Sequence, residues 1–294
     1  MSESDIADAI TTGDALLKLG DVGWPAPEDF KSDKLLILLH GFTAHGSYLT
    51  EFGEFFAKFG YRVFIFNYNS YRGITKAAES LKDFLVRYDR LTHGEILNRR
   101  VFLVAHSMGG LVARCLALMP DVSGMIRGIV MLGTPNNGTL NDSRLVSYFV
   151  DFGEYLTGAM PEARNPACLS AKELIRSDVS DGHSTIDRLN ANWISSASIP
   201  PSISVSGGRR YLVVGKNKLK NILVNRLIQT AFGDQDNDGL VPEKSVNMYS
   251  EILPEPHDNY IHYNSYPYYS VLNHSSLIKN QTLALEIIEW LDKR

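Results

Sequence analysis

Hydrophobic positions along the chain fall into two alternating kinds of run. Lys34-Leu35-Leu36-Ile37-Leu38-Leu39, Arg62-Val63-Phe64-Ile65-Phe66, Val101-Phe102-Leu103-Val104-Ala105 and Ile126 to Leu132 are short and almost continuously apolar. Apolar runs of that length read as strands buried on both faces. Between them the apolar residues recur at helical spacing. Tyr48 to Phe59 sets Leu49, Phe52, Phe55, Phe56 and Phe59 at that spacing and closes at Gly60. Thr75 to Asp89 carries Ala78, Leu81, Leu85 and Tyr88 on one face, and Leu283 to Leu291 forms a last amphipathic helix. Strands alternating with helices predict an α/β architecture: a mostly parallel central sheet with helices on both faces. In such sheets ligands bind at the C-terminal ends of the strands.

The pattern changes after the fourth run. From Thr139 to about Gly208 no clear strand appears, and Pro161, Pro166, Pro200 and Pro201 interrupt a stretch rich in Ser and Gly. Residues 139–208 therefore read as an inserted cap or lid, and residues 34–138 with 209–294 as the core it covers. Residues 1–33 read as a lead-in without a clear site. Within the insert, Leu145 to Leu156 is apolar and aromatic, and Phe149 and Phe152 are expected to line a substrate pocket. The sheet is expected to resume at Arg210-Tyr211-Leu212-Val213-Val214. Lys216 to Phe232 then carries Lys216, Lys218, Lys220 and Arg226 on an amphipathic pattern. A solvated face is the simpler reading of that segment, and a membrane-surface helix the alternative.

Composition narrows the function. The 294 residues are 44% hydrophobic and 21% charged, as in an ordinary globular protein. A formal net charge of −4 argues against a nucleic-acid partner. The acidic, polar segment from Met1 to Thr12 lacks the basic start and apolar run of a secretion signal, so a cytoplasmic location is expected. No stretch approaches the roughly 18 apolar residues of a membrane span. The two cysteines, Cys115 and Cys168, suggest no disulfide framework. No protein partner is expected, and a transient contact with a lipid surface stays open.

The chemistry gathers where the third strand ends. Ala105-His106-Ser107-Met108-Gly109 sets a serine between small residues, with an apolar strand before it and a helical run (Leu111, Val112, Leu116) after it. That is the nucleophile elbow, with Ala at its first small position. A turn of one residue between strand and helix strains the serine backbone, leaves little room two residues to either side, and aims free helix N–H groups at an oxyanion. His40-Gly41-Phe42-Thr43 follows a central strand directly. Its Phe42 N–H is the expected second oxyanion donor beside the Met108 N–H. His40 would orient that loop, and His40 and His106 are both expected near substrate.

A serine hydroxyl needs a base, and the base needs a carboxylate. Elbow enzymes carry them in the order Ser, acid, His. His257, His262 and His274 follow the acidic cluster, and His274 sits in a loop just before the final helix. Asp238 is the favoured acid in Asp234-Gln235-Asp236-Asn237-Asp238-Gly239-Leu240-Val241, with Asp236 and Asp234 as rivals. The same stretch begins like a calcium loop, but Ser245 stands where a bidentate Glu belongs and Pro242 interrupts it.

Taken together, His40-Gly41-Phe42, Ala105-His106-Ser107-Met108-Gly109-Gly110, Asn237-Asp238-Gly239-Leu240-Val241 and Asn273-His274 resemble the α/β-hydrolase superfamily. Within it they are most similar to bacterial triacylglycerol lipases and esterases. The resemblance spans about Leu35 to the end, the insert excepted. It implies an α/β-hydrolase fold with Ser107 as nucleophile, Asp238 as acid, His274 as base, and Phe42 and Met108 as oxyanion donors. It also implies ester hydrolysis on a small-molecule ester or lipid with an apolar acyl chain, without a cofactor. Ser276 stands where the larger of those lipases place an Asp that helps hold a structural calcium, so no metal is expected. A thioesterase, an amidase, a lipid acyltransferase or a non-catalytic binding protein would share the same fold.

Overall fold

The computed structural model describes residues 14–20, 25–96, 101–138, 169–174, 184–212, 218–249, 251–263 and 271–294. Its strands are β1 Ala15–Lys18, β2 Leu35–Leu39, β3 Arg62–Asn67, β4 Val101–His106, β5 Ile126–Leu132, β6 Ser202–Val205 and β7 Tyr260–Tyr263. Its helices are α1 Thr50–Ala57, α2 Ile74–Leu91, α3 Met108–Ala117, α4 Pro120–Ser123, α5 Leu169–Glu173, α6 Thr185–Ser195, α7 Lys218–Phe232, α8 Glu243–Val246 and α9 Gln281–Asp292.

The strands form a seven-stranded sheet in the order β1-β3-β2-β4-β5-β6-β7. All neighbours run parallel except β1, which pairs antiparallel with β3 at one edge. The register puts Leu39 opposite Ala105 and His106 opposite Leu132, so β2, β4 and β5 end level with one another. That shared edge carries the functional loops.

The apolar runs divide by alternation into two cores. Leu35, Ile37 and Leu39, with Leu103, Ala105, Ile129 and Met131, face α2 and α3. Leu36 and Leu38, with Val104, Val130, Ile203 and Val205, face α1 and α9. Each fully buried aliphatic side chain contributes roughly 2 kcal/mol, which is why a parallel strand with two covered faces tolerates almost no polar residue.

β6 and β7 break that rule, and the sequence does not reveal them. β6 reads Ser-Ile-Ser-Val, and both serines are buried. Ser202 Oγ donates to the Pro200 carbonyl at 2.8 Å, and Ser204 Oγ bonds His262 Nδ1 at 2.7 Å. β6 lies inside the stretch expected to lack strands, and β1 lies inside the lead-in. The strand expected at Arg210 is instead irregular chain through Leu212, because β6 already occupies the place beside β5. The cap expected over residues 139–208 falls largely outside the described residues. Its described parts are α5, α6 and β6. Among the described residues no helix is long and apolar enough to cross a membrane.

Candidate active site

β4 runs into α3 through Ser107 alone. Its backbone adopts φ 55°, ψ −129°, a region that costs a non-glycine residue of order 1–3 kcal/mol. The side chain is lifted off the sheet end and stays partly accessible. The turn leaves no room beside it. A Cβ on Gly41 would lie 2.8 Å from Ser107 Cβ, so only glycine lets the loop after β2 pass this close. Phe42 is thereby held beside the serine, with its ring edge-on to Tyr71 at 5.5 Å. Neither the Phe42 nor the Met108 backbone N–H forms a hydrogen bond with another described residue. Met108 opens a helix, where the first N–H groups lack intrahelical partners.

His274 and Asp238 meet over the end of β5. His274 Nδ1 lies 2.7 Å from Asp238 Oδ2, and both side chains are buried. The other carboxylate oxygen accepts from the N–H groups of Leu240 at 3.0 Å and Val241 at 2.8 Å. A carboxylate that only accepts, facing an imidazole nitrogen, fixes the proton on Nδ1 and leaves Nε2 with a lone pair. A backbone bond from the His274 N–H to the Asp238 carbonyl, 2.8 Å, ties the two loops together. Gly133, at the end of β5, adopts φ +61°. A Cβ there would fall 2.8 Å from His274 Nδ1 and 2.9 Å from Asp238 Oδ2. The Ser107 hydroxyl forms no hydrogen bond with a described residue. Contacts of this kind often close only around substrate.

The rival residues lie elsewhere. Asp236 is largely exposed and paired with Arg210 at 2.6 Å, and Asp234 is exposed. His257 Nδ1 accepts from the Asn259 N–H at 3.2 Å. His262 joins Ser204 to Glu243, with Nε2 2.9 Å from Glu243 Oε1. Ser204, His262 and Glu243 thus form a second serine–histidine–acid chain, which the sequence analysis missed. Ser204 is fully buried and its Oγ also bonds Tyr260 Oη, so it is closed to any substrate.

His40 and His106 do not face the cleft as expected. His40 is fully buried. Its Nε2 accepts from the Tyr68 N–H at 3.2 Å, so the proton sits on Nδ1 and is donated to the Gly41 carbonyl at 2.9 Å. Burial lowers its pKa to about 4, so it stays neutral. The ring stacks on Tyr68 at 4.2 Å. His106 donates from Nε2 to the His274 carbonyl at 2.9 Å, its ring 4.6 Å from that of His274, and burial lowers its pKa to about 3. Both rings are tied to backbone groups of the loops around the serine. Phe149 and Phe152 lie outside the described residues.

Arg114 on α3 adds a support that the sequence analysis did not single out. Its fully buried guanidinium donates to Asn136 Oδ1 at 3.1 Å and Asn190 Oδ1 at 2.8 Å, and lies 4.9 Å from the Trp193 ring. It thereby fastens the loop after β5 to α6. Cys115 is no rival nucleophile, because burial pushes its thiol pKa up to about 11. Among the described residues no cluster of three His, Cys, Asp or Glu side chains is placed to hold a metal.

Comparison with known proteins agrees with this fold. Residues 72–214 match the model of the PGAP1-like alpha/beta domain, covering the elbow and its flanking strands. The mature lipase BlEst2 of Bacillus licheniformis superposes with a TM-score of 0.62 at 15% identity, over 94% of this chain and 97% of that one. The chain has the α/β-hydrolase fold. Its fold is also that of a hydrolase from Oleispira antarctica, with a TM-score of 0.60 at 12% identity over 100% and 98% of the two chains. Lipase B of Aspergillus fumigatus gives 0.54 at 12% identity, over 99% of this hydrolase-fold chain and 58% of that one. No curated protein matches the sequence.

Proposed function

We propose that this protein is a serine carboxylic-ester hydrolase acting through Ser107, His274 and Asp238. The observation that carries the reading is the 2.7 Å bond between His274 Nδ1 and a buried Asp238 carboxylate, at the sheet edge where Ser107 sits strained between β4 and α3.

In this reading the His274 Nε2 lone pair takes the Ser107 proton as Oγ attacks the ester carbonyl. The new C–O bond pushes an electron pair onto the carbonyl oxygen, which is received by the N–H groups of Phe42 and Met108. Asp238 stabilises the imidazolium, and its other oxygen is held in place by the Leu240 and Val241 N–H groups. The tetrahedral centre collapses, the alkoxide leaves with the proton from His274, and the acyl group stays on Ser107. Water then repeats the sequence and frees the acid. The partly buried Phe42 and Tyr71 rings beside the serine favour an ester with an apolar acyl portion.

The test is hydrolysis of p-nitrophenyl esters of increasing chain length by the wild-type protein and by Ser107→Ala. Turnover should vanish in the variant while circular dichroism and melting are unchanged. A fluorophosphonate probe should label wild type at Ser107 alone. Turnover retained by Ser107→Ala would overturn the assignment.

A further inference from the structure

α7 is inside out. Its inward positions include Asn221, Asn225, Ile228 and Phe232, whereas Leu219, Ile222 and Leu223 point to solvent. These three are 73%, 59% and 63% exposed and sit at i, i+3 and i+4, so they form one apolar patch on the outer face. The inverted arrangement has a local cause. Asn225 Oδ1 accepts from the Leu212 N–H and its Nδ2 donates to the Leu212 carbonyl, both at 2.7 Å. That pair of bonds fixes the helix rotation and turns the leucines outward. A solvated helix face has no use for three large aliphatic side chains together.

The charge that α7 itself carries has one sign. α7 carries Lys218, Lys220 and Arg226 and no acidic residue, in a chain whose formal net charge is −4. Lys218 and Arg226 are exposed, and among the described residues neither is ion-paired. A cationic rim around exposed aliphatics complements an anionic, apolar-backed surface.

The patch is coupled to the reacting edge of the sheet through one short segment. The Leu212 side chain packs where a Cβ on Gly239 would stand, 2.7 Å from its Cγ, and Gly239 directly follows Asp238. The Tyr211 carbonyl accepts from Asn273 Nδ2 at 3.1 Å, and Asn273 directly precedes His274. Tyr211 and Val271 are themselves exposed, at 39% and 62%. The apolar and basic surface thus adjoins both loops that hold the acid and the base.

We infer that α7 docks this protein on an anionic phospholipid surface, with Leu219, Ile222 and Leu223 entering the interface and Lys218 and Arg226 meeting the headgroup phosphates. The inference concerns binding and stands whether or not Ser107 hydrolyses esters.

Co-sedimentation with vesicles tests it, using the full chain carrying Ser107→Ala so that the lipid is not consumed. Vesicles of phosphatidylcholine alone are compared with vesicles containing phosphatidylglycerol. The protein should bind the anionic vesicles, and binding should weaken as salt rises. Adding L219S, I222S and L223S together should lower the partition coefficient at least about tenfold. Adding K218E and R226E instead should abolish the preference for phosphatidylglycerol. Both sets should leave the circular dichroism spectrum and the melting temperature unchanged, which shows that the variants are folded. Equal vesicle binding with and without the leucine changes would overturn the inference. So would no binding at all, or a dimer in sedimentation velocity that the leucine changes dissociate.

Discussion

His106 donates a hydrogen bond from Nε2 to the backbone carbonyl of His274, 168 positions further along the chain, at 2.9 Å. The residue before the elbow serine therefore holds the loop that carries the imidazole. A carbonyl accepts only, so His106 is locked as the Nε2–H tautomer, and its burial keeps it neutral. His106→Phe removes the donor and leaves the carbonyl without its partner. A lost bond of this kind costs about 1–3 kcal/mol, so kcat/KM should fall roughly 5–150-fold with little change in KM. His106→Gln, which keeps a donor, should recover part of the loss. Equal activity in all three proteins would remove His106 from the site's support.

Asp238→Asn keeps the acceptor for Leu240 and Val241 but removes the charge facing His274. Turnover should fall roughly 10³–10⁴-fold, and fluorophosphonate labelling should fall with it. Asp236→Asn, which loses only the exposed pair with Arg210, should keep activity within about twofold. If the two variants behave alike, the acid has been misassigned.

Gly133→Ala places a methyl against the His274–Asp238 pair and demands an unfavourable φ of a non-glycine residue. The expected outcome is near-complete loss of turnover in a protein that still melts cooperatively, read by differential scanning calorimetry beside the ester assay. Wild-type kinetics would mean that the pair has space that the packing denies.

Acid should weaken the fold through His40 and His106. Burial lowers their pKa values to about 4 and about 3, against the usual 6.5. Between those limits the unfolded chain binds protons that the folded chain refuses. Their contribution is fully present above pH 6.5. It is lost as pH falls, down to about 4 for His40 and about 3 for His106, at up to about 1.4 kcal/mol per pH unit each. Urea unfolding between about pH 7.5 and about pH 5 should show this slope, and His106→Gln should flatten it. An unchanged slope in that variant would assign the acid sensitivity elsewhere.

The buried Ser204–His262–Glu243 chain supplies a control. Ser204→Ala should leave fluorophosphonate labelling at full stoichiometry, since Ser204 is enclosed and already bonded to Tyr260. Its expected effect is on stability, about 1–3 kcal/mol from the unpaired Tyr260 and His262 groups. Halved labelling would show a second reactive serine.

Much of this arrangement was legible because the constraints on it are local. The runs at Leu35–Leu39 and Val101–His106 are apolar because both faces are covered, and a strand bent into a helix through Ser107 admits only small neighbours. Chain order narrowed the base to His257, His262 and His274, and left Asp234 and Asp236 as rivals of Asp238. β6 could not be read, since Ser202 and Ser204 become acceptable in the core only through Pro200, His262 and Tyr260, which the sequence does not bring near. The rotation of α7 was equally hidden, set by the bonds from Asn225 to the Leu212 backbone. The burial of His40 and His106 was not legible, because the backbone groups that claim their ring nitrogens come from Tyr68, Gly41 and His274.

The order of the strands in the sheet also governs when this chemistry becomes available. A growing chain that has reached β5 can already stack β2, β3 and β4 and bend the elbow, yet it holds a hydroxyl with nothing to deprotonate it. The imidazole arrives only with the segment after β7, against the high entropic barrier of closing so distant a loop. On the proposed mechanism a newly made chain stays chemically silent until its final turns have docked, and recovery of turnover after dilution from denaturant should be the slowest signal to return.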